Sequence, residues 1–230
     1  MSHLLLLPGL LNDERLWGHQ ARTLAALADV DIRVLTEDDD IAAMARRVLA
    51  TAPPRFALAG LSMGGYVAME ILRQAPERVE RLALVGTTAR PDTPEQTQRR
   101  LDAIQVAQSG GFNKIMPGML PIMVHPDHAG LERVGGLAKD MARTIGPEAF
   151  VRQQNAIRHR PDSRPGLPCI ACPTLVMVGA DDTLTPPDRA QEMAGLIPAA
   201  RLVTIGECGH LSAIEQPQAV SAALQYWLQA

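Results

Sequence analysis

The chain has 230 residues, 47% of them hydrophobic, 20% charged and 3% aromatic, with a formal net charge of −3. That is globular composition with enough apolar material for one large, well-buried domain, and the lack of any long basic stretch leaves no electrostatic footprint for nucleic acid. No apolar run approaches the roughly 20 residues that span a bilayer, and "LLLL" at Leu4–Leu7 has neither a basic flank nor a small-residue cleavage site, so neither membrane insertion nor a signal peptide is expected.

Taken in chain order, "HLLLLPG" reads as a buried strand, "LWGHQARTLAALA" as a helix and "DIRVLT" as a second strand. The acidic run Glu37–Asp40 precedes the helix "IAAMARRVLATA", where carboxylates suit the positive end of the helix dipole. A strand "RFALAG", a helix "GGYVAMEILRQAPERV" and a strand "RLALVGTT" follow. This alternation predicts a parallel sheet with helices on both faces.

From about Arg90 to Pro168 the rhythm stops: the segment is helical in character, broken by Gly and Pro, with no convincing strand. It resumes with the strand "CPTLVMVG", the helix "PDRAQEMAGLI", the strand "ARLVTIG" and the amphipathic helix "QAVSAALQYWLQ". The expected organisation is a sheet-forming core, residues 1–90 and 169–230, interrupted by a helical insertion, residues 91–168.

Three cysteines, Cys169, Cys172 and Cys208, in a chain with no export signal point to reduced thiols and a cytoplasmic protein. "CIAC" leads into a strand and has no second pair to complete a zinc site, so it reads as small residues beside that strand. "HPDH" (His125–His128) reads as a surface loop rather than a metal site, and Arg158–Arg160 as a solvated charged face. No cofactor or metal is implied, and nothing in the sequence speaks to oligomeric state.

The run Phe56–Gln74 places Ser62 between Gly60 and Gly64, where a buried strand gives way to a helix. Gly-x-Ser-x-Gly at such a junction is a nucleophile elbow, whose oxyanion hole uses the N–H of the following residue, here Met63. A serine hydroxyl needs a positioned base. Of six histidines, only His210 follows a late strand in a turn-rich setting, "IGECGHLSAIEQP". A base needs a carboxylate to fix its tautomer, and "VGADDTLTPP" supplies Asp181 and Asp182 just after a strand. Ligands of open parallel sheets bind beyond the carboxyl ends of the strands, and all of these segments lie there.

In these motifs the sequence resembles an α/β-hydrolase with a helical cap, a small serine carboxylesterase-like member: "GLSMGG" matches the elbow, "GADDTLTPP" the acid turn and "GHLSAIEQP" the histidine loop. The resemblance implies an α/β-hydrolase fold with a mostly parallel sheet of about six strands, lacking the two extra edge strands with which relatives often begin. It implies a triad of Ser62, Asp182 and His210, the acid falling on Asp182 rather than Asp181. The second oxyanion donor of such proteins is the residue after a His-Gly pair; here that is Leu10, with Pro8 in place of the histidine.

The activity implied is hydrolysis of small, mostly apolar carboxylic esters through an acyl-enzyme on Ser62, with lactone hydrolysis the next alternative. Thioester cleavage, C–C bond cleavage or a receptor-type ligand-binding role are open on the same triad, while dehalogenation is disfavoured by serine rather than aspartate at the elbow. Met116, Met119, Met123 and Met141 of the insertion, and Trp17 after the first loop, are candidates to meet substrate or simply to pack. Cys208, two residues from His210, is a candidate for redox sensitivity.

Overall fold

The computed structural model describes residues 2–229. Six strands, β1 (Ser2–Leu7), β2 (Ala28–Ile32), β3 (Phe56–Leu61), β4 (Val79–Val85), β5 (Thr174–Gly179) and β6 (Ala200–Ile205), form one sheet in the order β2-β1-β3-β4-β5-β6. Every neighbouring pair is parallel. Burial follows position: β3 and β5 are buried along their whole length, whereas the edge strands β2 and β6 are largely half-buried or exposed. The central strands therefore read as unbroken apolar runs and the edges do not.

The helices α1 (Gly18–Leu24), α2 (Ile41–Thr51), α3 (Met63–Gln74), α7 (Pro187–Leu196), α8 (Ser212–Glu215) and α9 (Pro217–Gln229) connect and flank the strands. The chain runs from β1 outward to β2, then returns past β1 to β3. Right-handed crossovers consequently place α2 and α3 together on one face, while α1 and α9 pack against each other. The reversal makes the β1/β3 gap the topological switch point of the sheet, where open α/β proteins hold their ligands.

Strand β2 lies earlier than "DIRVLT" predicts. Its pairing with β1 ends at Leu6↔Ile32. Beyond it, the carbonyls of Leu35 and Thr36 accept from the side chains of Gln153 and Arg152 instead of from a strand. The helix predicted through Ala28 is correspondingly short and ends at Leu24.

Between β4 and β5 the chain forms α4 (Pro94–Val106), α5 (Ile115–Met123) and α6 (Leu137–Arg158), joined by short turns. A break in α6 falls at Gly146, whose φ of 78° suits glycine, followed by Pro147 at the start of a new helical turn. The two ends of this segment are pinned together: Asp92 pairs with both Arg100 and Arg160, and Arg160 also donates to the Arg90 carbonyl and stacks over the Tyr66 ring. Arg160 is buried, not part of a solvated face, because Asp92 and the carbonyls of Arg90 and Ile157 satisfy its guanidinium. Among the described residues no helix is long and apolar enough to cross a membrane.

Removing one partner of a buried ion pair strands the other charge. Asp92→Ala is therefore expected to destabilise the fold by about 3–5 kcal/mol in urea unfolding. Glu80→Ala, which breaks an exposed pair with Arg55, should change stability by less than about 1 kcal/mol.

Candidate active site

Strand β3 delivers Ser62 into a turn that few residues adopt, with φ 56° and ψ −116°. Such a conformation costs on the order of 1–3 kcal/mol and persists only where its surroundings impose it. Here the Ser62 N–H donates to the Val85 carbonyl at 2.9 Å, and Thr87 Oγ1 donates to the Ser62 carbonyl at 2.8 Å. A β-carbon on Gly60 would stand 2.2 Å from the Gly64 carbonyl oxygen, and one on Gly64 would stand 2.2 Å from the Leu7 carbonyl oxygen. Both glycines of the motif are thus required by close backbone approach.

His210 Nε2 lies 2.9 Å from Ser62 Oγ, and His210 Nδ1 lies 2.8 Å from Asp182 Oδ2. With the imidazole protonated on Nδ1, it donates to Asp182 and accepts from the serine hydroxyl. Asp182 is buried and fully engaged: its Oδ1 accepts from the N–H groups of Leu184 and Thr185, and its Oδ2 also accepts from Thr185 Oγ1 at 2.8 Å. Of the two adjacent aspartates, Asp182 is the one that reaches His210. The half-exposed Asp181 instead accepts from the Cys208 N–H at 3.3 Å.

Burial opposes charge on both members of this pair, yet their mutual attraction prevails. Desolvation pushes the Asp182 carboxyl upward, but the His210 charge and the bonds from His210 and Thr185 bring it below its ordinary value. Desolvation pushes His210 downward, but the charge and hydrogen bond of Asp182, with the charge of Glu215, leave it above its ordinary value.

The loop after β1 flanks the serine: a β-carbon on Gly9 would lie 3.2 Å from Ser62 Cβ. Neither the Leu10 N–H nor the Met63 N–H donates to any group among the described residues. Leu11, with φ 60°, has its N–H held by Gln153 Oε1 at 3.0 Å.

The insertion meets the site from above through α5. The Met123 carbonyl accepts from the N–H groups of His210 (2.8 Å) and Leu211 (3.3 Å), and Thr183 Oγ1 donates to the Ile122 carbonyl at 2.8 Å. Met123 thus reaches the site by its backbone. Met116 and Met141 are buried in the core, and Met119 is half-buried against it. Trp17 is fully buried, on a turn that packs against α8.

Glu215, without a role in the sequence reading, proves central to the histidine loop. Glu215 is buried, and its Oε2 accepts from the N–H groups of His125 (2.7 Å) and Gly209 (3.1 Å) and lies 3.1 Å from His128 Nδ1. His125 and His128 are therefore not a free surface loop but part of the packing that fixes the histidine loop. Cys208 is fully buried, and burial together with the charges of Glu215 and Asp182 holds its thiol far above the usual range, which disfavours the thiolate that oxidation requires. A groove of about 860 Å³ lined by Met69, Arg73, Glu80, His159 and Cys169 lies elsewhere on the fold and includes none of the site residues.

A family model described as "Alpha/beta hydrolase family" matches residues 4–223. A pimeloyl-[acyl-carrier protein] methyl ester esterase of Nitrosomonas europaea is 30% identical over 174 residues, covering 72% of this chain and 68% of that protein. A thermophilic esterase from Thermogutta terrifontis, solved with malate bound, superposes with a TM-score of 0.91 at 31% identity, covering 100% of this chain and 90% of its own. The enol-lactonase from Burkholderia xenovorans LB400 gives 0.89 at 26% identity, covering 100% of this chain and 92% of its own.

The opposing influences on His210 yield a direct titration test. Its imidazole should titrate above the ordinary histidine value of about 6.5 when followed by ¹⁵N NMR. Asp182→Asn removes the main upward influence and should lower that value. Glu215→Gln should lower it by less, since Glu215 acts by charge alone.

Proposed function

The chain belongs to the alpha/beta hydrolase family, and from that premise we propose that it is a serine hydrolase of small, apolar carboxylic esters, working through an acyl-enzyme on Ser62. The observation that carries the reading is the continuous line from Ser62 Oγ through His210 to Asp182, with contacts of 2.9 and 2.8 Å. Likeness to an esterase at 31% identity supports the reaction class.

In this mechanism Ser62 Oγ attacks the ester carbonyl carbon as its proton passes to His210 Nε2. The carbonyl oxygen becomes an oxyanion and accepts from the N–H groups of Leu10 and Met63, donors of a kind worth about 10²–10³ in rate each. Collapse of the intermediate breaks the C–O bond to the alcohol, which leaves with the proton from His210. A water then gives its proton to His210 and attacks the acyl group, and the second collapse returns the proton to Ser62 Oγ and releases the acid. Asp182 holds the imidazole in its working tautomer and stabilises the imidazolium.

A second reading, lactone hydrolysis, is favoured by the likeness to the enol-lactonase. The same steps apply, with the leaving alcohol still tethered to the acyl group. Wild type is expected to turn over short p-nitrophenyl esters repeatedly, and Ser62→Ala to lose on the order of 10⁴ or more in kcat. Equal rates for the two proteins would remove Ser62 as nucleophile. A kcat/KM for an enol-lactone far above that for every p-nitrophenyl ester would move the assignment to the second reading.

A further inference from the structure

Gln153 lies on the second half of α6, completely buried, and both ends of its amide are used across long sequence distances. Its Oε1 accepts from the Leu11 N–H at 3.0 Å, and its Nε2 donates to the Leu35 carbonyl at 2.8 Å. One side chain of the insertion therefore clamps the loop after β1 to the loop after β2.

The clamped residue is a strained one. Leu11 has φ 60°, in the left-handed region that costs a residue with a β-carbon roughly 1–2 kcal/mol. The turn around it is closed by a single backbone bond, from the Asn12 N–H to the Gly9 carbonyl at 3.2 Å. Leu11 follows Leu10 directly, so the Gly9–Leu10 peptide that bears the candidate oxyanion donor is next to the peptide that Gln153 grips. If Leu11 relaxed to an ordinary φ, the preceding peptides would rotate and carry the Leu10 N–H with them.

We propose that Gln153 is a positioning residue for the oxyanion hole: the insertion, through this one amide, holds the Leu10 N–H free and in place beside Ser62. This rests on the acyl-enzyme reading above. It goes further in giving the insertion a part in transition-state stabilisation as well as in covering the site. An ideal control is adjacent. Arg152 joins the same helix to the same part of the core, donating to the Thr36 carbonyl at 2.7 Å, and among the described residues makes no hydrogen bond to the loop after β1.

The test compares wild type, Gln153→Met, Gln153→Glu and Arg152→Ala in three measurements: kcat and KM for p-nitrophenyl butyrate, labelling of Ser62 by a fluorophosphonate located by mass spectrometry, and thermal unfolding. Gln153→Met keeps the volume and loses both hydrogen bonds. Its kcat should fall about 10- to 100-fold, since a misplaced donor loses much of the 10²–10³ a missing one does, with KM changed less than about twofold. Gln153→Glu keeps an acceptor for Leu11 and, as the neutral acid that complete burial favours, an O–H donor for Leu35, so it should recover most of kcat even if it unfolds at a lower temperature. Arg152→Ala should keep wild-type kcat. If Gln153→Met does not fold, Gln153→Ala takes its place in the same comparison.

Wild-type kcat in folded Gln153→Met (or in Gln153→Ala where it takes that place), a loss confined to KM, or an equal loss in Arg152→Ala would overturn the proposal alone. Absence of Ser62 labelling in an active wild-type enzyme would overturn the acyl-enzyme reading, and the proposal with it.

Discussion

The close approach of α3 to β1 at Gly64 governs the rest of the site. A helix that begins with its backbone against the Leu7 carbonyl oxygen leaves no room for a β-carbon there, so the chain leaving β3 must turn sharply before the helix starts. The turn forces Ser62 to φ 56°, and its side chain is lifted out of the sheet at the β1/β3 switch point. The same geometry keeps the Met63 N–H out of the helical ladder, since the first residues of a helix have no intrahelical acceptor. The proposed nucleophile and the proposed oxyanion donor are thus two consequences of one steric constraint.

The second requirement is a charged pair buried beside that turn. An imidazolium and a carboxylate taken from water lose several kcal/mol of solvation each, and the fold offsets this by giving every Asp182 oxygen a donor. Thr185 contributes twice, through its N–H and its hydroxyl. Glu215 adds negative charge behind His210 while tying down the Gly209 and His125 N–H groups. Cys208 is buried in the same surroundings, and burial first, with the charges of Glu215 and Asp182 added, raises its thiol and disfavours the thiolate.

How much of this could be read from the sequence depends on whether the signal was local. The central strands, the elbow, the late histidine and the acid turn are contiguous runs whose spacing reflects backbone geometry, and the structure brings Ser62, His210 and Asp182 into one hydrogen-bonded line. The choice between Asp181 and Asp182 needed the family pattern, because two adjacent carboxylates differ only in the direction they point. Edge strand β2 was misplaced because a half-exposed strand carries little apolar signal, and its end is set by side chains from over a hundred residues away. Arg160 looked like one more surface charge. Its burial depends on Asp92, about seventy residues earlier, and no local pattern records that pairing.

The insertion was the least legible part, and it is also the part that touches three loops of the site: those of Leu11, Asp182 and His210. Its α5 accepts from the His210 and Leu211 N–H groups at Met123, and from Thr183 of the acid turn at Ile122. Its α6 holds the loop after β1 at Leu11. These contacts run mostly through backbone groups and buried amides, which any apolar helical sequence can supply, so composition could not reveal them. They also constrain how the insertion can vary. The carbonyls at Ile122 and Met123 and the amide at Gln153 are the fixed points, because moving them would displace the turn of Asp182, the loop of His210 or the loop after β1. The insertion therefore holds the line from Ser62 to Asp182 through main-chain carbonyls and one amide, whatever the rest of its side chains do.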